Sequence, residues 1–245
     1  MIINEFLSAF AKTNCSKTFP ERSKTINNDL SNTLKPMDVL LYRFGGKHDF
    51  IGGVISHFTN SPYSHAGLHL KNGYSVEALD CGVSYVDVFS GHRTIDVFRL
   101  KKQLTREQRL IMFAKAAQSV LEPYDYIDLT MFPFINKELA AKLSGNHAFI
   151  CSELVAWIYK EAGIDLVGGK PEAIEAPADL GYSDLLEYIG TFVDGKKKSG
   201  YKPNEFNGEE QSWLSVLTAE AMGLFSMKDE FYKGLELNRG KMLND

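Results

Sequence analysis

The strongest periodic signal lies at Phe149-Ile150-Cys151-Ser152-Glu153-Leu154-Val155-Ala156-Trp157-Ile158-Tyr159. A short apolar segment runs into an amphipathic helix with Leu154, Val155, Ile158 and Ala162 on one face and Gly163 as its C-cap. A second helix starts at Thr105, which forms a capping box with Gln108 and leads into an apolar side of Leu110, Ile111, Phe113, Ala114, Ala117 and Leu121. The first half of the chain alternates at period two instead. Residues 37–43 read as a buried strand, and 63–70 and 74–79 as a hairpin around Lys71-Asn72-Gly73. Residues 83–88 and 94–100 predict further strands, and 185–192 a last one. Residues 48–58 have mixed periodicity and predict a helix weakened by Gly52 and Gly53. Residues 122–148 and 168–180 carry the Pro and Gly of loops.

The ends differ from this middle. Ile2, Ile3, Phe6, Leu7 and Phe10 recur at helical spacing, and residues 13–34 form a polar connecting arm. Residues 196–203 (KKKSGYKP) read as a basic flexible linker, with amphipathic helices over 209–225 and 228–237 beyond it. The expected organisation is a helix and arm over 1–35, an α+β domain over 36–195, and a linker with a helical tail over 196–245. The tail packs back on the domain or serves self-association or a protein contact.

Composition narrows the function. A net charge of -4 gives no electrostatic case for nucleic acid. No apolar run is long enough to span a bilayer. The N-terminus MIINEFLSAFAKTNCS lacks a basic stretch and a small-residue cleavage pattern, so a cytoplasmic location is expected. Cys15, Cys81 and Cys151 are an odd number at unrelated spacings, which predicts neither a disulfide framework nor a zinc site. No metal and no cofactor are expected.

Cys151 sits where unpaired backbone N–H groups and the positive end of the helix dipole favour a thiolate, the attacking form of a cysteine nucleophile. Cysteine is also among the most buried residue types, so position alone does not make it reactive. A thiol hydrolase needs a histidine base and a polar group to orient it. Among six histidines, His65 and His69 lie in a strand pattern on either side of Gly67. Gly67 leaves space over the His65 ring for a helix or a substrate. Glu77 is a carboxylate inside the apolar run Val76, Ala78, Leu79, and burial there requires a partner such as a histidine across the hairpin. A plain two-residue turn at Asn72-Gly73 would set Glu77 opposite Leu68, on the other face from His65. Pairing therefore requires a turn centred near Lys71, through a longer loop or a bulge, with Asn72 or Gly73 left-handed.

Thr59-x-Ser61-x-Tyr63-Ser64-His65-Ala66-Gly67, Val76-Glu77-Ala78, Arg99-Leu100, Tyr124-Asp125-Tyr126 and Cys151-Ser152-Glu153-Leu154-Val155 occur in that order. The series resembles the permuted papain-like hydrolases of the YiiX/YaeF group, relatives of the NlpC-type cell-wall hydrolases, over about residues 36–190. The resemblance implies an α+β papain-like fold, circularly permuted, with an antiparallel sheet packed against the cysteine helix. It implies Cys151 as nucleophile, His65 as general base and acid, and Glu77 as the orienting residue. Tyr63 and Tyr124 are candidates for oxyanion or substrate contacts. Where the group's strand opens with Gly-Asp, this chain has Met37-Asp38. The expected activity is hydrolysis of an amide bond, in a peptide or a peptidoglycan-like stem peptide, through a thioester. The alternatives are a lipid-directed thiol acyltransferase or esterase, and a catalytically silent interaction module with a buried, ordinary Cys151.

Overall fold

The computed structural model describes residues 17–22, 26–45, 50–79, 81–91, 93–120, 122, 150–168 and 176–216. Within them Val39–Arg43 (β1), Tyr63–Lys71 (β2), Tyr74–Leu79 (β3), Gly82–Asp87 (β4), Thr94–Leu100 (β5), Leu186–Val193 (β6) and Lys196–Lys198 (β7) form one sheet. The strand order is β4-β3-β2-β1-β5-β6-β7, and every neighbouring pair is antiparallel. The helices are Asp29–Thr33 (α1), Phe50–Thr59 (α2), Arg106–Ser119 (α3), Cys151–Glu161 (α4), Pro177–Gly181 (α5) and 208–216 (α6). This is a mixed α+β architecture.

Strand alternation divides the core in two. On β1, Val39 and Leu41 belong to one apolar cluster and Leu40 and Tyr42 to the other, so the central strand is buried on both faces. The first cluster joins Ala66, Leu68, Val76 and Ala78 to Met112 of α3 and to Leu154 and Ile158 of α4. Each of the valine, leucine, isoleucine and methionine side chains, fully buried, is worth about 1.5–3 kcal/mol. The second lies under α1, with Leu30 packed on Ile95, Val97 and Phe192.

The two helices expected beside the sheet have the ends predicted for them. Thr105 accepts from the Gln108 backbone N–H and Gln108 accepts from the Thr105 N–H, the reciprocal capping box. The Gln108 amide also donates to the Ala162 carbonyl at 3.2 Å, tying α3 to the end of α4. Gly163 follows that end at φ +76, the left-handed conformation that closes a helix.

Three segments depart from expectation. The polar arm contains α1, capped by Asn28 and Ser31, and its Arg22 clasps Asp87 while donating to the Asn72 carbonyl. The loop after α4 contains α5. The lysine run expected as a linker is instead strand β7, paired through Lys198, Lys197 and Lys196 with Thr191, Phe192 and Val193. An exposed edge strand of lysines resists further edge pairing, so the strand's own composition hid it among loop sequences. Cys81 is disulfide-bonded, although the cysteine spacings predicted no disulfide framework. The helix expected over residues 2–10, the second tail helix and Tyr124 lie outside the described residues.

Candidate active site

The hairpin β2–β3 fixes where the histidine and the carboxylate meet. Lys71 pairs with Tyr74 around a two-residue turn in which Asn72 (φ 53) and Gly73 (φ 75) are both left-handed. One residue earlier the register slips, so His69 faces Ser75 and Leu68 faces Val76. The unpaired residue of this bulge is Leu70. The turn is thus centred on Asn72-Gly73 rather than Lys71, and the bulge supplies the one-residue shift that pairing required. His69 holds the slip in place: its Nδ1–H donates to the Lys35 carbonyl at 2.7 Å, and its Nε2 accepts from the Gly73 N–H at 3.1 Å. Burial lowers the His69 pKa, which suits a neutral imidazole with those two roles.

With that register Glu77 lies across from Gly67, and its side chain occupies the space the glycine leaves. A Cβ at Gly67 would stand 2.8 Å from Glu77 Cγ. The gap expected over the His65 ring is therefore filled by the carboxylate. Gly67→Ala should push Glu77 off His65 and cut the alkylation rate of Cys151 at neutral pH by about ten-fold; an unchanged rate would show that Glu77 does not need this path.

Glu77 is fully buried and saturated with donors. The hydroxyls of Tyr42 and Ser75 donate to Oε1, and His65 Nε2 lies 2.9 Å from Oε2. Since Nε2 is used, Nδ1 is the His65 nitrogen left over, and Cys151 at the start of α4 lies close enough to act on the ring. Burial on its own would raise the Glu77 pKa, but the bond and charge of His65, then Arg93 and Ser75, hold it down at about 2. Burial likewise pushes His65 down, yet Cys151 and Glu77 on its two sides outweigh this and raise it to about 10. The His65 side chain remains 24% exposed, so the ring has a path to solvent.

Cys151 itself is buried and is the free cysteine among the described residues. As the first residue of α4, Cys151 carries one of the N–H groups that the helix's own carbonyls do not take. The Ile150 N–H, in contrast, is taken by Glu153 Oε2 at 3.1 Å.

Tyr63 is elsewhere. Its hydroxyl is fully buried, donates to Asp96 Oδ2 at 2.8 Å and accepts from the Asn204 N–H at 3.0 Å. A slip of register at Ser64 turns it away from the His65 side of the strand: His65 pairs with Tyr42, but Tyr63 pairs with Arg43. Tyr42, Ser75 and Arg93 are the residues around Glu77 that sequence reasoning missed. The residue opposite His65 on β1 is Tyr42, so knowing the β1–β2 register would have found it. Among the described residues no group of three or more His, Cys, Asp and Glu is arranged to hold a metal ion, and no helix is long and apolar enough to cross a membrane.

No family model matches the chain, and no curated protein does. Among solved structures it is similar to the crystal structure of metalloprotein yiiX from Escherichia coli O157:H7, at 19% identity, over 64% of this chain and 97% of that one, with a TM-score of 0.46.

Proposed function

We propose that this protein is a cysteine hydrolase with a permuted papain-like arrangement, in which Cys151, His65 and Glu77 act as nucleophile, acid–base and orienting residue on an amide substrate. The observation that carries the reading is the His65 ring bonded at 2.9 Å to the buried Glu77 carboxylate, with Cys151 at the start of α4 acting on the same ring. A histidine strand that precedes the cysteine helix in the chain agrees with the permuted order. A silent interaction module accounts for a buried cysteine, but gives no reason for a histidine held by a buried carboxylate beside it.

The Cys151 thiolate adds to the substrate carbonyl carbon, and the oxyanion forms toward the Cys151 N–H. His65, protonated at neutral pH, gives its proton to the departing amine nitrogen as the C–N bond breaks. The thioester remains. Neutral His65 then removes a proton from water, the hydroxide adds to the thioester carbon, and collapse releases the carboxylic acid and the thiolate. Glu77 keeps Nε2 protonated throughout, so Nδ1 is the nitrogen that exchanges the proton. A base held protonated at neutral pH favours an amide over an ester, because an amine leaves only with a proton.

Iodoacetamide alkylation against pH tests the pair. At neutral pH, Cys151 should react at least about ten times faster in the wild-type protein than in His65→Ala. Equal rates across the pH range would remove the hydrolase reading.

A further inference from the structure

Arg93, the residue before β5, lies against the back of the triad. Its guanidinium carbon is 5.1 Å from the Tyr42 ring centroid, and Nη1 is 3.8 Å from Glu77 Oε2, the same oxygen that meets His65. Tyr42 is thereby held from two sides, with its hydroxyl on Glu77 Oε1 and its ring face under Arg93. We propose that Arg93 is a positioning residue for the triad: the permanent cation that keeps the Glu77 carboxylate charged and aimed at His65 while the histidine changes its own charge.

The need for such a cation follows from the proton cycle, and this role rests on the hydrolase reading of the site. When His65 has given its proton away, Glu77 faces a neutral ring. A fully buried carboxylate with no charged partner would take up a proton itself, and Nε2 would lose its acceptor. The hydroxyls of Tyr42 and Ser75 supply bonds but no charge. Arg93 supplies charge at every stage, because its guanidinium does not titrate in the working range. The groups facing Glu77 are His65, Tyr42, Ser75 and Arg93; those facing Arg93 are Tyr42, Glu77 and Asp87. Asp87 does not monopolise Arg93, since it is already gripped by Arg22. At 3.8 Å the Arg93–Glu77 contact is longer than a hydrogen bond, so its influence is one of charge more than of direct bonding. The Arg93 side chain keeps 32% of its surface exposed, which screens but does not remove that charge.

The test is the Glu77 carboxyl carbon resonance of the full chain labelled in glutamate, assigned with Glu77→Gln and followed against pH. In the wild-type protein it should keep its ionised position down to pH about 3. Arg93→Met keeps the stem and loses the charge; the Glu77 midpoint should rise by about one unit or more. Arg93→Lys keeps the charge without the planar fork and should restore most of the shift, which a role in packing alone would not do. A Met variant with the wild-type midpoint, or a Lys variant no different from Met, overturns the role. If Arg93→Met fails to fold, Arg93→Gln gives the same reading with a polar, uncharged side chain. The titration needs no turnover, so equal alkylation of wild-type and His65→Ala proteins would end the hydrolase reading and still leave this result to decide the placement of Glu77.

Discussion

Arg43→Met should cost about 3 kcal/mol or more in urea unfolding and release the chain beyond residue 199 from the sheet. Arg43 ends β1 with its guanidinium fully buried, bonded to Asp96 at 2.7 Å and to both oxygens of Glu210 at 2.8 and 3.0 Å. It also donates to the carbonyls of Lys202 and Glu205. All three guanidinium nitrogens are therefore engaged, in the fork geometry only arginine offers. Methionine fills much of the same space but leaves Asp96 and Glu210 with no counter-charge. Asp96 adapts more readily. Burial already raises its pKa against the pull of Arg43, and Thr191 and Tyr63 continue to donate to it, so it can protonate in place. Glu210 has the other route, because it sits on α6 and can swing out into water with its segment. Hydrogen exchange should then accelerate over residues 199–216 and at Asn204, whose N–H is held by the Tyr63 hydroxyl, and leave α4 protected. Arg43→Lys should fall between, since three ammonium donors cannot serve five acceptors. A Met variant with wild-type stability and exchange would show that apolar packing, not this network, holds the segment.

The elements that build the site were legible wherever local chemistry sets them. β3 and β5 have the bounds their alternation predicts, and the Cys151 helix begins and ends where its apolar face and Gly163 place it. His65 and Glu77 could be paired only on condition of a register shift. The shift depends on His69 reaching Lys35 and Gly73, contacts that no local pattern encodes. Gly67 was noticed for the right reason, an absent side chain, but its space belongs to Glu77 and not to a substrate or helix. Tyr63, a candidate for oxyanion or substrate contact, bonds Asp96 and Asn204 instead, because the slip at Ser64 turns it from the His65 face of the strand. Arg43 and Asp96 were missed because each sits in an apolar strand where a charge has no periodic signature; the second carboxylate that Arg43 binds, Glu210, lies 167 residues from it. The lysine strand shows the converse, a local pattern read correctly as polar and wrongly as unstructured.

Replacing Cys151 with serine should lower the His65 titration by well over one unit and pull the alkaline limit of stability down with it. His65 is raised to about 10 against an ordinary 6.5, although burial opposes the charge; Cys151 is first among the influences that raise it, ahead of Glu77. Serine keeps the size and removes the sulfur's influence on the ring, which leaves burial opposed by Glu77. Ring nitrogen shifts in histidine-labelled protein report the midpoint directly, and they should show the neutral form protonated at Nε2, where Glu77 accepts. Stability follows the same shifts. A histidine with a raised folded pKa contributes stability fully present below about 6.5 and lost as pH rises through about 10. Glu77, lowered to about 2 from an ordinary 4.5, contributes stability present above 4.5 and lost as pH falls through about 2. The two contributions coexist in full only between about 4.5 and 6.5, where the melting temperature should be highest. In Cys151→Ser the acid limb should stay where it is, because Glu77 keeps His65, still protonated in acid, together with Arg93 and Ser75, and the alkaline limb should move toward neutrality. A His65 midpoint unchanged by the substitution would mean that the sulfur does not act on the ring, and the site would then be a histidine bonded to Glu77 beside a passive cysteine.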